Sequence, residues 1–176
     1  MNIRHLLVAS VVALSACASP PPPVAPQPTP LPKPIIVTPV QTLQEPAGEW
    51  IDWPLAQGDW VYRQDERGSI ALFGVTGANA LVTLRCDRAR RTIFLAREGQ
   101  SVGAIVVRSS SAMKEFGGAP TGGTPPYIAT EIAPGDSILD AMALSRGRIA
   151  ISAAGQQPIA IPSWAEITRI VEDCRG

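Results

Sequence analysis

The chain has 176 residues, and its 15 Lys and Arg balance 15 Asp and Glu, so the formal charge is zero. Such a balance supplies no basic stripe for a nucleic-acid backbone, and no nucleic-acid partner is expected. The single histidine, His5, lies at the amino-terminal end, which leaves the remainder without a Ser-His-Asp or Cys-His arrangement and without a histidine metal ligand.

Arg4 and His5 precede an apolar run from Leu6 to Leu14. The run is too short for a permanent membrane helix and suits a signal-peptide core, so residues 1–16 read as a signal peptide. It closes on Leu14-Ser15-Ala16-Cys17, which resembles the lipobox of bacterial lipoproteins. The resemblance implies cleavage before Cys17, diacylglyceryl attachment to the Cys17 thiol and acylation of the new amino terminus. Several acyl chains anchor stably where one holds only marginally, so the membrane is an expected partner. Ala18 and Ser19 follow in place of an aspartate, which by similarity to the sorting rule of enteric bacteria implies the outer membrane, facing the periplasm.

Proline then recurs from Pro20-Pro21-Pro22-Pro23 to Pro46. Each one removes a donor and fixes its own φ, so residues 17–48 read as the lipidated cysteine and a Pro-rich linker. As polyproline II, at roughly 3.1 Å per residue, the segment reaches on the order of 90 Å. Proline-rich stretches also serve as ligands for aromatic grooves, but a place between anchor and domain favours a spacer.

Residues 49–176 read as a single periplasmic globular domain. Trp50, Trp53 and Trp60 come close together, with Tyr62 on the strand face of Trp60. The cluster fits core packing better than a sugar-binding platform, because a domain of this size needs large anchors. Short β-type runs follow at 69–73, 81–86, 92–96, 104–108, 127–132, 148–152 and 158–161, mostly separated by turn residues. Ile149 and Ile151, then Ile159 and Ile161, flank Ala154-Gly155-Gln156-Gln157, which reads as a hairpin. Gly117-Gly118 and Gly122-Gly123 frame what reads as a flexible loop, with no lysine after them as in a P-loop.

Two helices interrupt the strands. Asp136 caps residues 137–145, with Ile138, Leu139 and Met142 inward, Arg146 near the negative helix end and Gly147 as the stop. Ser163 and Glu166 form the S-x-x-E capping box of the second, whose stripe is Trp164, Ile167, Val171 and Cys174. The expected fold is mainly β: a β-sandwich or partly open β-barrel with two short helices, the C-terminal one tied to the sheet.

That tie comes from cysteine. Val82, Leu84 and Cys86 share one strand face, so Cys86 points inward by strand alternation while Cys174 does so by helical spacing. In an oxidising compartment a Cys86–Cys174 disulfide is the expectation, contributing about 4 to 5 kcal/mol in the chain-entropy model. A redox pair or two buried thiols are the alternatives.

Chemistry is sparser. Asp65 with Glu66, or Glu172 with Asp173, can in principle do acid–base work, but adjacent carboxylates on one element point different ways. Arg85, Arg88, Arg90, Arg91 and Arg97 fall on two neighbouring strands and their turn, and read either as an anion-binding face or as a solvated edge that discourages strand pairing. No cofactor is implied.

From Trp60 to Cys174 the segments Leu84-Arg85-Cys86, Asp140-Ala141-Met142-Ala143-Leu144-Ser145-Arg146-Gly147-Arg148 and Ile161-Pro162-Ser163-Trp164-Ala165-Glu166 resemble a family of alphaproteobacterial, sphingomonad-like envelope lipoproteins of uncharacterised activity. More distantly the layout resembles the invasion-associated locus B proteins, periplasmic β-sandwiches. The expected function is a non-enzymatic binding or scaffolding domain for another envelope protein or a cell-wall component. The competing expectation is a carboxylate-dependent enzyme acting on cell wall or lipid.

Overall fold

The computed structural model describes residues 45–176, which lie in one compact unit. The expected signal peptide, Cys17 and the expected linker up to residue 44 lie outside the described residues. The described chain is mainly β, as its alternating pattern predicts. Its strands are β1 (Asp59–Asp65), β2 (Gly68–Gly74), β3 (Val82–Asp87), β4 (Thr92–Glu98), β5 (Gly103–Arg108), β6 (Met113–Pro120), β7 (Tyr127–Ile132), β8 (Arg148–Ala153) and β9 (Ile159–Pro162). They form one antiparallel sheet in the order β1-β2-β3-β4-β7-β6-β5-β8-β9, curled into a partly open barrel.

Alternation decides which residues face inward. Phe73, Val82, Leu84, Ile93, Leu95, Ile105, Ile128, Ile149 and Ile151 are fully buried, and each is flanked along its strand by a residue of the opposite face. The concave side is filled by α1 (Ser137–Ala143) and α2 (Ala165–Arg175). Ile138, Leu139 and Met142 from α1 join Ile167, Ile170, Val171 and Cys174 from α2 in one core with the strand residues. The expected hairpin forms, with Ile149 opposite Ile161 and Ile151 opposite Ile159. Asp136 caps α1 by accepting from the backbone N–H of Ile138 at 3.1 Å, as expected.

Four expectations are corrected. The stretch containing Gly117-Gly118 is no loop but most of β6, which pairs with β5 along its length and with β7 near its end. Glycine is required there by proximity: a Cβ on Gly118 would stand 2.7 Å from Ile128 Cγ2 and 2.9 Å from the Gly103 carbonyl oxygen. The S-x-x-E capping box does not form. Trp164 is the residue ahead of α2, with no side-chain cap, and the Ser163 hydroxyl instead donates to the Met142 carbonyl at 2.6 Å, fastening the start of α2 to α1. Trp164, expected on the buried stripe, is 45% exposed. α1 ends at Ala143, before residue 145, because the chain turns out at Leu144 toward β8.

The tryptophans pack in two places. Trp60 is buried inside the barrel against Phe73, and its indole N–H donates to the Pro162 carbonyl at 2.9 Å, joining β1 to the far edge strand β9. Trp53, after a 3-10 turn at Trp50–Asp52, covers the outer side of β8 and β9 on Ala150 and Ala160. Beyond it Leu55 bridges Ala160 in parallel and the Ala56 N–H donates to the Ala160 carbonyl at 2.8 Å. The chain thus runs beside one edge of the sheet before it becomes the other. Cys86 and Cys174 meet in bonding contact with their Cα atoms 5.3 Å apart, so the pair is placed for the disulfide that ties α2 to β3.

Candidate functional site

The five arginines singled out by sequence do not share one surface; strand parity and the β3–β4 turn send them to three. Arg85 lies on the convex face of β3, where its guanidinium donates twice to Asp65, at 3.0 and 2.8 Å. That fork holds the Asp65 carboxyl below its usual range. Arg90 pairs with Glu131 at 2.8 Å and stacks over Phe94, also on the convex side. These two charges are already neutralised.

Arg97 is the exception in the other direction. It shares parity with Ile93 and Leu95, so it points into the barrel, at the end of β4 away from the β3–β4 turn. It is 5% exposed, donates from Nη1 to the Leu81 carbonyl at 3.0 Å, and its Nε has no partner. Burial pushes its pKa down, opposed by the charge of Glu98 and by Tyr127. Tyr127 in turn has its hydroxyl pKa pushed up by burial and by Glu98, while the hydroxyl donates to the Ala80 carbonyl at 2.6 Å.

Arg88 and Arg91 remain, and the turn between β3 and β4 brings them together. Arg91 occupies the left-handed region at φ 48°, a conformation that costs a non-glycine residue about 1 kcal/mol or more. The turn is held by its own bonds. Asp87 accepts from the Arg90 backbone N–H at 3.1 Å and from Arg67 Nη2 at 3.0 Å, and its carboxyl is lowered first by Arg67 and then by Arg90. The Arg88 N–H donates to the Arg67 carbonyl at 3.0 Å. Neither Arg88 nor Arg91 makes an ion pair among the described residues.

Both side chains line an open depression of about 720 Å³ whose other wall is the end of α2: Glu172, Asp173, Cys174 and Arg175. The sequence singles out Glu172 and Asp173 of that wall as a carboxylate pair, and not as neighbours of Arg88 and Arg91. Asp173 accepts from the Tyr62 hydroxyl at 2.6 Å, and Gln64 donates to that same hydroxyl at 3.0 Å. Arg169, one helical turn before Asp173, lies over the Tyr62 ring at 4.0 Å. Burial works against the Asp173 charge. It is outweighed by Ser69, a buried hydroxyl with no partner at ordinary hydrogen-bond length, by Tyr62, and by the charges of Arg88 and Arg169, so the carboxyl is held below its usual range. Arg175 forks onto Asp140 at 2.7 and 3.1 Å, which fastens the end of α2 to α1. The spacing of Arg169 and Asp173 is the one sequence signal that a polar edge of α2 faces Tyr62.

Chemically the depression offers two guanidiniums that make no ion pair among the described residues, beside the Asp173 carboxyl, whose pKa is lowered. Of the carboxylate pairs expected to compete, Asp65 is engaged by Arg85 while Glu66 is exposed in a turn, and Asp173 is engaged by Tyr62. No family model, curated protein or solved structure matches the chain.

Proposed function

We propose that this chain is an exported, lipid-anchored protein of the bacterial outer envelope, whose domain is a non-enzymatic module that binds an anionic group of another envelope component through Arg88 and Arg91. The observation that carries the binding site is that pair: two guanidiniums with no ion pair among the described residues, presented by one turn into one depression. The left-handed Arg91 closes the loop between paired Asp87 and Thr92, and that closed turn fixes where the two side chains stand. Guanidinium forks match carboxylate and phosphate geometry, which defines the ligand class.

The anchoring part rests on Leu14-Ser15-Ala16-Cys17 behind the apolar run. The placement of Cys86 beside Cys174 accords with it, because an oxidising compartment is where such a pair is kept joined. The lowered carboxyls of Asp65 and Asp173 weigh against the enzymatic alternative, since an acid–base carboxyl works best when its pKa is raised toward the working pH.

The test is in vivo crosslinking followed by affinity capture, comparing the natural chain with an Arg88→Glu, Arg91→Glu double variant and with Cys17→Ala. The double variant is expected to lose the captured component while keeping the membrane fraction, and Cys17→Ala to leave that fraction. Capture that survives charge reversal overturns the assigned site.

A further inference from the structure

At the opposite end of α2 from the depression, two large apolar side chains stand in solvent. Leu144 is 81% exposed and Trp164 45%. They belong to two different segments, yet hydrogen bonds bring those segments together. The Ser110 N–H donates to Ser145 Oγ at 3.0 Å, and the Arg146 N–H donates back to Ser110 Oγ at 3.1 Å. Ser145 itself donates to the Arg148 carbonyl, and the Ser163 N–H donates to the Gly147 carbonyl at 3.2 Å. Ser145 is buried. The corner 144–147 is therefore locked on both sides, to the β5–β6 turn and to the start of α2. Leu144 is held outward by the corner's own bonding, where a slack loop would let it fold back onto the core.

One exposed base and one acid stand near it. Arg146 is exposed and has no ion pair among the described residues, while Glu166 in the first turn of α2 is the nearby acid. Arg148, on the same corner, donates from Nη1 to the Trp53 carbonyl at 2.6 Å. Trp53 marks where the chain arrives from the proline-rich side. The apolar corner and the arrival of the linker thus share one end of the domain, and Arg88 and Arg91 sit about 16 Å away along the 11 residues of α2.

We propose that this corner is a membrane-contact surface: Leu144 and Trp164 enter the boundary between headgroups and acyl chains, and Arg146 meets lipid phosphate. The proposal rests on the lipid-anchored reading, because three side chains bind a bilayer weakly on their own and a tether raises their local concentration enough to matter. A tryptophan at headgroup depth beside a leucine and an arginine is the composition that interface favours. The bilayer is the occupant chosen because the linker that runs to it joins the domain here.

The experiment uses the chain from Cys17 onward, in which joining Cys86 to Cys174 leaves Cys17 as the free thiol. Coupled through that thiol to a maleimide-headgroup lipid in phosphatidylethanolamine and phosphatidylglycerol vesicles, the protein is held at the surface whether or not cells acylate it. Trp164 emission is taken as the difference from a Trp164→Phe variant. Lipids brominated near the headgroup end of the acyl chain are expected to remove about half of it. Leu144→Glu, at an exposed position, is expected to abolish that quenching. Trp164 emission indifferent to bromine in the coupled protein overturns the membrane contact. Labelled palmitate in cells tests the anchor separately: quenching without palmitate on Cys17 keeps the surface and removes the anchor, and the reverse outcome removes only the surface.

Discussion

Arg97 is the side chain whose surroundings least suit it, a guanidinium among Val82 and Ile128 with one carbonyl for company. Breaking a buried ion pair is costly, but Arg97 has no pair to break among the described residues, and replacing a lone buried charge by an apolar chain of similar length is often neutral or stabilising. Arg97→Met is therefore expected to unfold at the same or a higher urea concentration than the natural chain. A loss of more than about 2 kcal/mol would show that its bond to Leu81 outweighs the desolvation it suffers. The facing of Arg97 was legible: the alternation that places Ile93 and Leu95 inward places residue 97 inward too. Grouping it with Arg85 on β3 and with the arginines of the turn mixed the two faces of the sheet. That Arg88 and Asp173 line one depression was not legible, because it depends on where the last helix ends its path across the sheet.

Among the elements, those with a clean period were readable and those without were not. The alternation in β3, β8 and β9 and the 3-4 spacing of Ile167, Val171 and Cys174 located their elements. In β6 the run Met113-Lys114-Glu115-Phe116-Gly117-Gly118 offers no alternation of that kind, since its inward position at 118 must be glycine to clear Ile128. Its strand is imposed by partners on both sides. The same dependence on partners governs α2, which is short, lacks a side-chain cap and is held by packing, by Arg175 on Asp140 and by Cys174 on Cys86. Replacing both Cys86 and Cys174 by alanine is expected to cost about 2 to 5 kcal/mol in chemical unfolding. Hydrogen exchange should speed up most in α2. Uniform exchange along the chain with an unchanged midpoint would mean that α2 owes its place to apolar contacts alone.

For the molecule as a whole, pH acts through aspartates. Asp65, Asp87, Asp136 and Asp140 are held below the ordinary value of 3.8 chiefly by hydrogen bonds from Arg85, Arg67, Lys114 and Arg175. Asp173 is lowered as well, against the effect of its own burial. A depressed folded pKa means that the unfolded chain binds protons first as pH falls. The stabilisation is thus complete above the ordinary carboxylate value and drains away as pH drops through the lower folded values. The urea midpoint is expected to be flat from about pH 7 to 5 and to fall steeply below about pH 4, with Asp140→Asn falling less steeply. A midpoint that ignores pH down to about 2 would show these pairs to be fully screened by solvent.

The barrel's seam decides how the domain bears a load. If the chain ahead of Glu49 is drawn taut, as a tether under tension is, the pull reaches Trp53 first, and Trp53 is wedged over Ala150 and Ala160 with its indole N–H on the Gly48 carbonyl. Only past that wedge does it reach the Ala56–Ala160 bond, and only then β1. An edge strand pulled directly would peel from its neighbour one hydrogen bond at a time, like a zip. Here the aromatic wedge takes the strain as a knot does in a rope, and the sheet behind it stays slack.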